Sequence, residues 1–446
     1  MCHAGQVEFL KKACETPENI EQLSRVAGVF DQRLSRNVYV LSLTMGAMSF
    51  FFGWQQWIPL YITDLGAVAF QVGIFFAVAS LAHALSGIPA SLRSDRSGRK
   101  KFVVAGTLIN SFLYAGYALC NSWTLLMLPW FLQQLSHAAY INPMMALLAE
   151  SAPPEKRGIA NGLFQAIAGI ITIIAPVFAT VLIVYFNGDL RIAIPALFML
   201  TGISVGLMGV VRGLTLRETY DGRLRSPAKS PDAAAKGISA SGSLSAPQVP
   251  ASDEGTSLRS RPVIALYIFI AISSLIVYVI TNFVALLGQR ISLGDAEIGI
   301  WTIVATGVST IAQVPTGRLA DKSSKRTLLL ISVLLYAVSM VLFMRTTNFT
   351  EFILAQVPLS VGGTLAYNTE FTMIAGYASC KNRSTAFSLQ TAINDIVGIP
   401  GPLIGGYLFG MAPQYPFMLG LVLTIPAFMV GLILVKEPGK VKKCSP

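Results

Sequence analysis

Apolar residues in this chain gather into long blocks separated by short polar stretches. Twelve such blocks can be bounded, at 39–62, 69–92, 102–120, 123–148, 159–186 and 192–213, then 262–287, 296–318, 327–346, 350–378, 386–410 and 416–435. Each is long enough to cross a bilayer, which takes roughly 20 residues at 1.5 Å rise. Backbone groups in lipid must pair within their own segment, so blocks of this length predict helices rather than barrel strands. The expected fold class is an all-α integral membrane protein with twelve transmembrane helices.

The blocks divide into two sets of six. Residues 214–260, rich in Ser, Ala, Gly and Pro, carry no helical or strand period and read as a flexible linker. The organisation expected is an N-terminal segment 1–36 with room for a short interfacial helix, a six-helix bundle 37–213, the linker, a second bundle 261–437, and a tail 438–446. A shift of 226 residues carries Pro89 to Pro315, Asp95 to Asp321, Asn142 to Asn368, Arg157 to Arg383 and Pro176 to Pro402. These matches fall at equivalent points of equivalent blocks, which predicts two pseudo-symmetric repeats.

Composition agrees. Charged residues are 12% of the 446 and hydrophobic ones 53%, against about 25% charged in ordinary soluble domains. The net charge of +11 would suit nucleic acid, but its placement argues otherwise. With twelve crossings, Arg191, Arg290 and Arg345 alone fall in loops on one side, and the other basic residues gather on the opposite side. That asymmetry predicts a multi-pass protein of the cell membrane with both termini cytoplasmic and no nucleic-acid partner. The Lys and Arg clusters are placed to meet anionic lipid headgroups. Five scattered cysteines form no disulfide framework or metal cluster, so no metal and no cofactor are expected.

Two charged hairpins stand out. SLRSDRSGRK (91–100) separates the second and third blocks, and GRLADKSSKR (317–326) occupies the same place in the second half. An Asp there can sit against a helix N-terminus, and the basic residues can meet helix C-termini, acids or lipid phosphates. The paired loops resemble the signature of the major facilitator superfamily: a Gly, three residues, Asp-Arg, one residue, Gly-Arg, then Lys or Arg. Asp95, Arg96, Gly98, Arg99 and Lys100 match, with Ser91 for the leading Gly; Gly317, Asp321, Lys325 and Arg326 match, with Ser324 for the second Gly. Glu150 and Arg157 resemble the family's acid-x6-Arg pattern, of which the second half keeps Arg383 but has Gly376 for the acid. The resemblance implies that these residues form a cytoplasmic gate. Gly53 and Pro59 resemble a first-crossing pattern of drug/proton antiporters. The fifth crossing departs from them, with Ala175-Pro176, and the fourth offers Gln133, Gln134 and His137 where proton-coupled members carry an Arg.

No phosphate-cradling loop and no HExxH or GxSxG motif appears, so neither ATP hydrolysis nor an enzyme is expected. Ionisable groups inside a bilayer are rare and functional by default. Glu370 and Asp395, each roughly 12–14 Å deep by helical rise, are the candidate proton-coupling residues. His83 and His137 read instead as interhelical hydrogen-bond donors. The resemblance implies a cavity lined by the first, fourth, seventh and tenth crossings. Candidate substrate contacts there are Trp54, Gln55, Tyr140, Asn142, Tyr278 and Asn282, with Thr364, Tyr367, Asn368 and Phe371 on one face of the tenth. Aromatic walls with a few amides suit a small amphipathic, largely neutral molecule.

The expected activity is secondary active transport by alternating access, working as a monomer and exporting such compounds in exchange for protons. Gradient-driven import of a small metabolite is the alternative. A non-transporting membrane sensor is the remote one, which would bind ligand without flux.

Overall fold

The structure, a computed structural model, describes residues 34–152, 157–218, 260–377 and 383–437. Most of the interfacial-helix candidate, nearly all of the linker, and the tail lie outside these residues. The first crossing comprises α1 (Arg36–Ser49), a 3₁₀ segment (Phe52–Trp57) and α2 (Ile58–Asp64). The rest of the first half is α3 (Ala69–Ser97), α4 (Arg99–Tyr117), α5 (Trp123–Glu150), α6 (Arg157–Tyr185) and α7 (Leu190–Thr215). The second half is α8 (Arg261–Arg290), α9 (Asp295–Lys322), α10 (Lys325–Arg345), α11 (Phe349–Tyr377), a divided crossing of α12 (Arg383–Val397) and α13 (Pro400–Met411), and α14 (Tyr415–Ile433). Among the described residues these make twelve rods and no strand. Eight helices are long and apolar enough to cross a membrane by length and composition.

Helix starts follow their capping residues. The Ser122 hydroxyl accepts from Leu125 N–H at 3.3 Å, the Asp189 carboxylate from Arg191 N–H at 2.9 Å, and Asn348 from Glu351 N–H at 3.0 Å. Two boundaries differ from the sequence reading. The charged hairpins are mostly helix: α3 runs through Ser97 and turns on Gly98 (φ 96°), and α9 runs through Lys322 and leaves Ser323 and Ser324 as the turn. Signature residues therefore sit on helix ends instead of open loops.

The first and eleventh crossings, read as continuous, are each broken, and a proline explains both. Pro59 has no N–H for the carbonyl of Gln55 four residues earlier, and Ile58 N–H takes that oxygen instead. Pro400 likewise cannot serve Ile396, whose carbonyl accepts from Ile399 N–H at 3.3 Å.

The halves repeat each other's packing. In the first, α4 lies against α5 and α7, and α3 against α5; in the second, α10 lies against α11 and α14, and α9 against α11. Between halves, α3 packs on α13 and α6 on α9. One face of the molecule carries the starts of α1 and α8 and the ends of α3 and α7, and is here the terminal face. Contact between the bundles concentrates towards the opposite face. A Cβ on Gly406 would lie 2.5 Å from the Ala69 carbonyl oxygen, and one on Gly73 would overlap the Pro402 carbonyl. Without side chains there, the two backbones meet directly. Large apolar residues such as Ile170, Val181, Leu207, Val422 and Ile425 are exposed around the outside, as a lipid-facing belt requires.

Candidate functional site

Three adjoining cavities cross from one bundle to the other. The first, of about 290 Å³, opens beside the break in the first crossing, where Gln55 and Gln56 face Tyr114, Gln134, His137 and Tyr140. The break is held against α6: a Cβ on Gly53 would overlap the Ala175 carbonyl, so only glycine lets the 3₁₀ segment approach. The second, of about 370 Å³, lies between the bundles and shares Gln134 with the first; His83, Tyr278, Asn282 and Asp395 line it. The third, of about 150 Å³, shares Val277 and Tyr278 with the second and reaches Glu370, Tyr336 and Tyr367.

The acids differ in their partners. Glu370 is buried and accepts from the Ser273 hydroxyl at 3.1 Å and from the Gln390 amide at 3.5 Å. Ser273 is on α8 and Gln390 on α12, so both belong to the acid's own bundle. Asp395 instead faces the other bundle, with its two oxygens 3.1 and 3.2 Å from His83 Nδ1. His83, read from sequence as an interhelical donor, thus bonds a carboxylate 312 residues away. Among the described residues His137 makes no such bond; its ring centre is 6.1 Å from that of His83 and 5.3 Å from that of Tyr140.

Not all predicted cavity residues reach the cavities. Trp54 is buried, with its indole N–H donated to Thr201 at 2.9 Å and its ring edge-on to Phe198, though part of it walls the first cavity. Asn142 lines none of the three and faces Gly87 of α3. The predicted face of the tenth crossing divides. Thr364 and Asn368 turn to α9, where they donate to the Ser309 and Gln313 carbonyls at 3.5 and 3.1 Å. Phe371 stacks on Phe387 with ring centres 4.5 Å apart. The lining residues are Gly363, Ala366, Tyr367 and Glu370, a face rotated by one position. Sequence reading also passed over Ser273, Tyr336, Gln390 and Asn394, whose only signal was polarity within an apolar block.

At the terminal face, Arg99 pairs with Glu150 at 2.8 Å, and Arg326 holds the carbonyls of Gly431 and Leu432. Each contact stays within one bundle. Asp321 and Lys322 are exposed on the end of α9, and Gly317 lies beside Asn368. Side chains of Asp95, Arg96, Arg157 and Arg383 lie outside the described residues.

The model of the Major Facilitator Superfamily matches residues 38–294 and 266–446. The quinolone resistance protein NorA of Staphylococcus aureus is 26% identical over 153 residues, 34% of this chain, which thus spans 39% of NorA's length. An uncharacterized MFS-type transporter of Methanocaldococcus jannaschii is 22% identical over 426 residues, covering 91% of this chain and 95% of its own. Among solved structures, a bacterial homolog of the human lysosomal transporter Spinster, in an inward-facing and occupied conformation, superposes with a TM-score of 0.64 at 16% identity, over 92% of this chain and 95% of its own. The nucleoside transporter NupG superposes with 0.67 at 12% identity, over 89% and 100%.

Proposed function

The chain belongs to the Major Facilitator Superfamily, and from that premise we propose that it exports small amphipathic, largely neutral compounds by alternating access, in exchange for protons. The observation that carries this reading is the continuous run of aromatic- and amide-lined cavities between bundles that meet mainly towards one face. Two bundles rocking about a central site expose it to each side in turn. Partial similarity to NorA, a quinolone resistance protein, supports export. In this reading the terminal face is cytoplasmic, the membrane is the cell membrane, and a single chain does the work. Glu370 and Asp395 are the two acids available for proton coupling, and the charged helix ends gate the cytoplasmic side.

The test is flux of the dye Hoechst 33342 in proteoliposomes with an imposed pH gradient. Uphill movement of dye against an inward proton gradient is expected, and dye that stays put under every gradient sinks the reading. Import is the second reading. Among the described residues, the side-chain amides of Gln55, Gln56, Gln134 and Asn282 line the cavities and bond to no other side chain or backbone group, which suits a polar metabolite. Dye or nucleoside accumulating with the proton gradient would favour it.

A further inference from the structure

We infer that Asp395, paired with His83 across the bundle interface, is the proton-binding site that transport uses, and that Glu370 is a fixed internal acid. The inference rests on the transport reading above. When two rigid bundles rock, contacts inside either bundle persist, while contacts between them form and break. Glu370 has its partners Ser273 and Gln390 inside its own bundle, so rocking leaves its surroundings intact. Asp395 and His83 stand on different bundles, so the same motion removes the partner of each.

The location favours that motion. One turn before His83, Ser80 packs on Gly398 at the break in the eleventh crossing, and beyond it the backbones of α3 and α13 meet at Gly73 and Gly406. The pair therefore sits where the closed part of the interface ends. It is also partly open to the second cavity, with side-chain exposures of 27% for His83 and 19% for Asp395. A proton can reach it through water.

Each step balances. With the terminal side open, neutral His83 donates its Nδ1–H to the ionised Asp395 carboxylate. Opening to the opposite side draws α3 from α12, and the carboxylate loses that donor. A bare carboxylate at such depth is costly, and it takes one proton from water on the opposite side. Return to the present arrangement restores the His83 bond and releases that proton to the terminal side. Other groups facing the pair are His137 and Tyr140 of α5, Tyr278 of α8, and Glu370 and Tyr367 of α11 in the next cavity. None of these crosses to Asp395 from the other bundle within bonding distance.

The test measures conformation and needs no substrate. Spin labels replace Ser97 on α3 and Lys322 on α9, both exposed at the terminal face, in a full-length protein whose five cysteines are changed to serine. Distances are recorded by double electron–electron resonance in liposomes from pH 8.5 to 5.5. Acid should enrich the short distance, with the population ratio changing by at most roughly tenfold per pH unit for one proton. Asp395→Asn should hold the short distance at every pH, Asp395→Glu should restore the response, and Glu370→Gln should keep it. A wild-type pH response in Asp395→Asn overturns the assignment, as does its loss in Glu370→Gln alone. Hoechst 33342 flux with an unaltered response in Asp395→Asn defeats this inference and spares the transport reading. A response abolished by Asp395→Asn without dye flux does the reverse.

Discussion

Arg99 Nη1 lies 2.8 Å from Glu150 Oε1, tying the start of α4 to the end of α5. The resemblance implies a cytoplasmic gate built from these residues among others, and this contact lies within the first bundle. The pair thus closes the α4–α5 hairpin at its open end.

Its energetic weight should be small. Glu150 is 41% exposed and Arg99 15%, so solvent screens the pair from the carboxylate side, and pairs screened in this way contribute about 0.2–1 kcal/mol. A double-mutant cycle with Arg99→Gln and Glu150→Gln, followed by thermal unfolding in detergent, should return a coupling in that range. The swap Arg99→Glu with Glu150→Arg should recover most of it. Coupling well above the range would mean that the pair supports more than its own hairpin.

Arg212 makes a sharper case. It is fully buried on α7, donates from Nε to Thr44 Oγ1 and from Nη1 to Thr107 Oγ1, both at 2.9 Å, and among the described residues its Nη2 has no partner. Both hydroxyls also donate to backbone carbonyls, Thr44 to Val40 and Thr107 to Val103, so removing the guanidinium strands neither. An apolar side chain of similar length should then be tolerated. Arg212→Met is expected to unfold within about 1.5 kcal/mol of the parent. Arg212→Ala, which leaves a void, should lose about 2–5 kcal/mol. Equal losses in both variants would mean that the charge itself holds α1, α4 and α7 together.

Much of this architecture was readable beforehand, and particular residues show where reading stopped. The apolar blocks located all twelve rods because segments of about 20 apolar residues satisfy their own backbone in lipid as helices, while barrel strands are about half that length. The breaks had a signal too, in Pro59 and Pro400, which withhold N–H groups from carbonyls four residues earlier. The fixed shift of 226 found Asp95 and Asp321 but missed a deeper equivalence. Glu218, just after α7, accepts the N–H groups of Arg99 and Lys100 at 3.2 and 3.0 Å, and Glu437, just after α14, accepts that of Arg326 at 2.9 Å. That pair lies at an offset of 219, seven short of 226. On the tenth crossing, Thr364 and Asn368 looked like cavity residues because they are polar. A polar side chain in a membrane helix serves equally well to grip a neighbouring helix, and sequence does not distinguish the two uses. The His83–Asp395 bond depends on how the bundles sit together, which no pattern within either half records.

Cys120 offers a test of orientation. It lies between α4 and α5 at the opposite face, partly buried, with Sγ 3.5 Å from the Gly116 carbonyl, and burial pushes its thiol up. With Cys2, Cys14, Cys380 and Cys444 changed to serine, a membrane-impermeant maleimide added to intact cells should label it. Labelling should be slow at neutral pH and accelerate as pH rises, because the thiolate is the reactive form. Protection in intact cells with labelling after lysis would place the termini outside.

Closure towards the opposite face should depend on Gly406. Its missing side chain lets α13 meet the Ala69 carbonyl, and a methyl group there would sit 2.5 Å from that oxygen. Backbone does not yield as a flexible side chain does, so Gly406→Ala must part α13 from α3. Overpacking of this kind costs about 1–3 kcal/mol, and it falls on this state rather than on one open to the opposite face. Phe70 and Tyr407 report the change, since their ring centres stand 6.5 Å apart across the same contact. A Phe70→Cys/Tyr407→Cys pair in a cysteine-free background should form a disulfide readily under mild oxidation. Adding Gly406→Ala should slow that reaction by roughly tenfold, the factor that 1.4 kcal/mol of population shift supplies. An unchanged rate would show that the bundles absorb the methyl group without separating, and the glycine contact would then not govern closure.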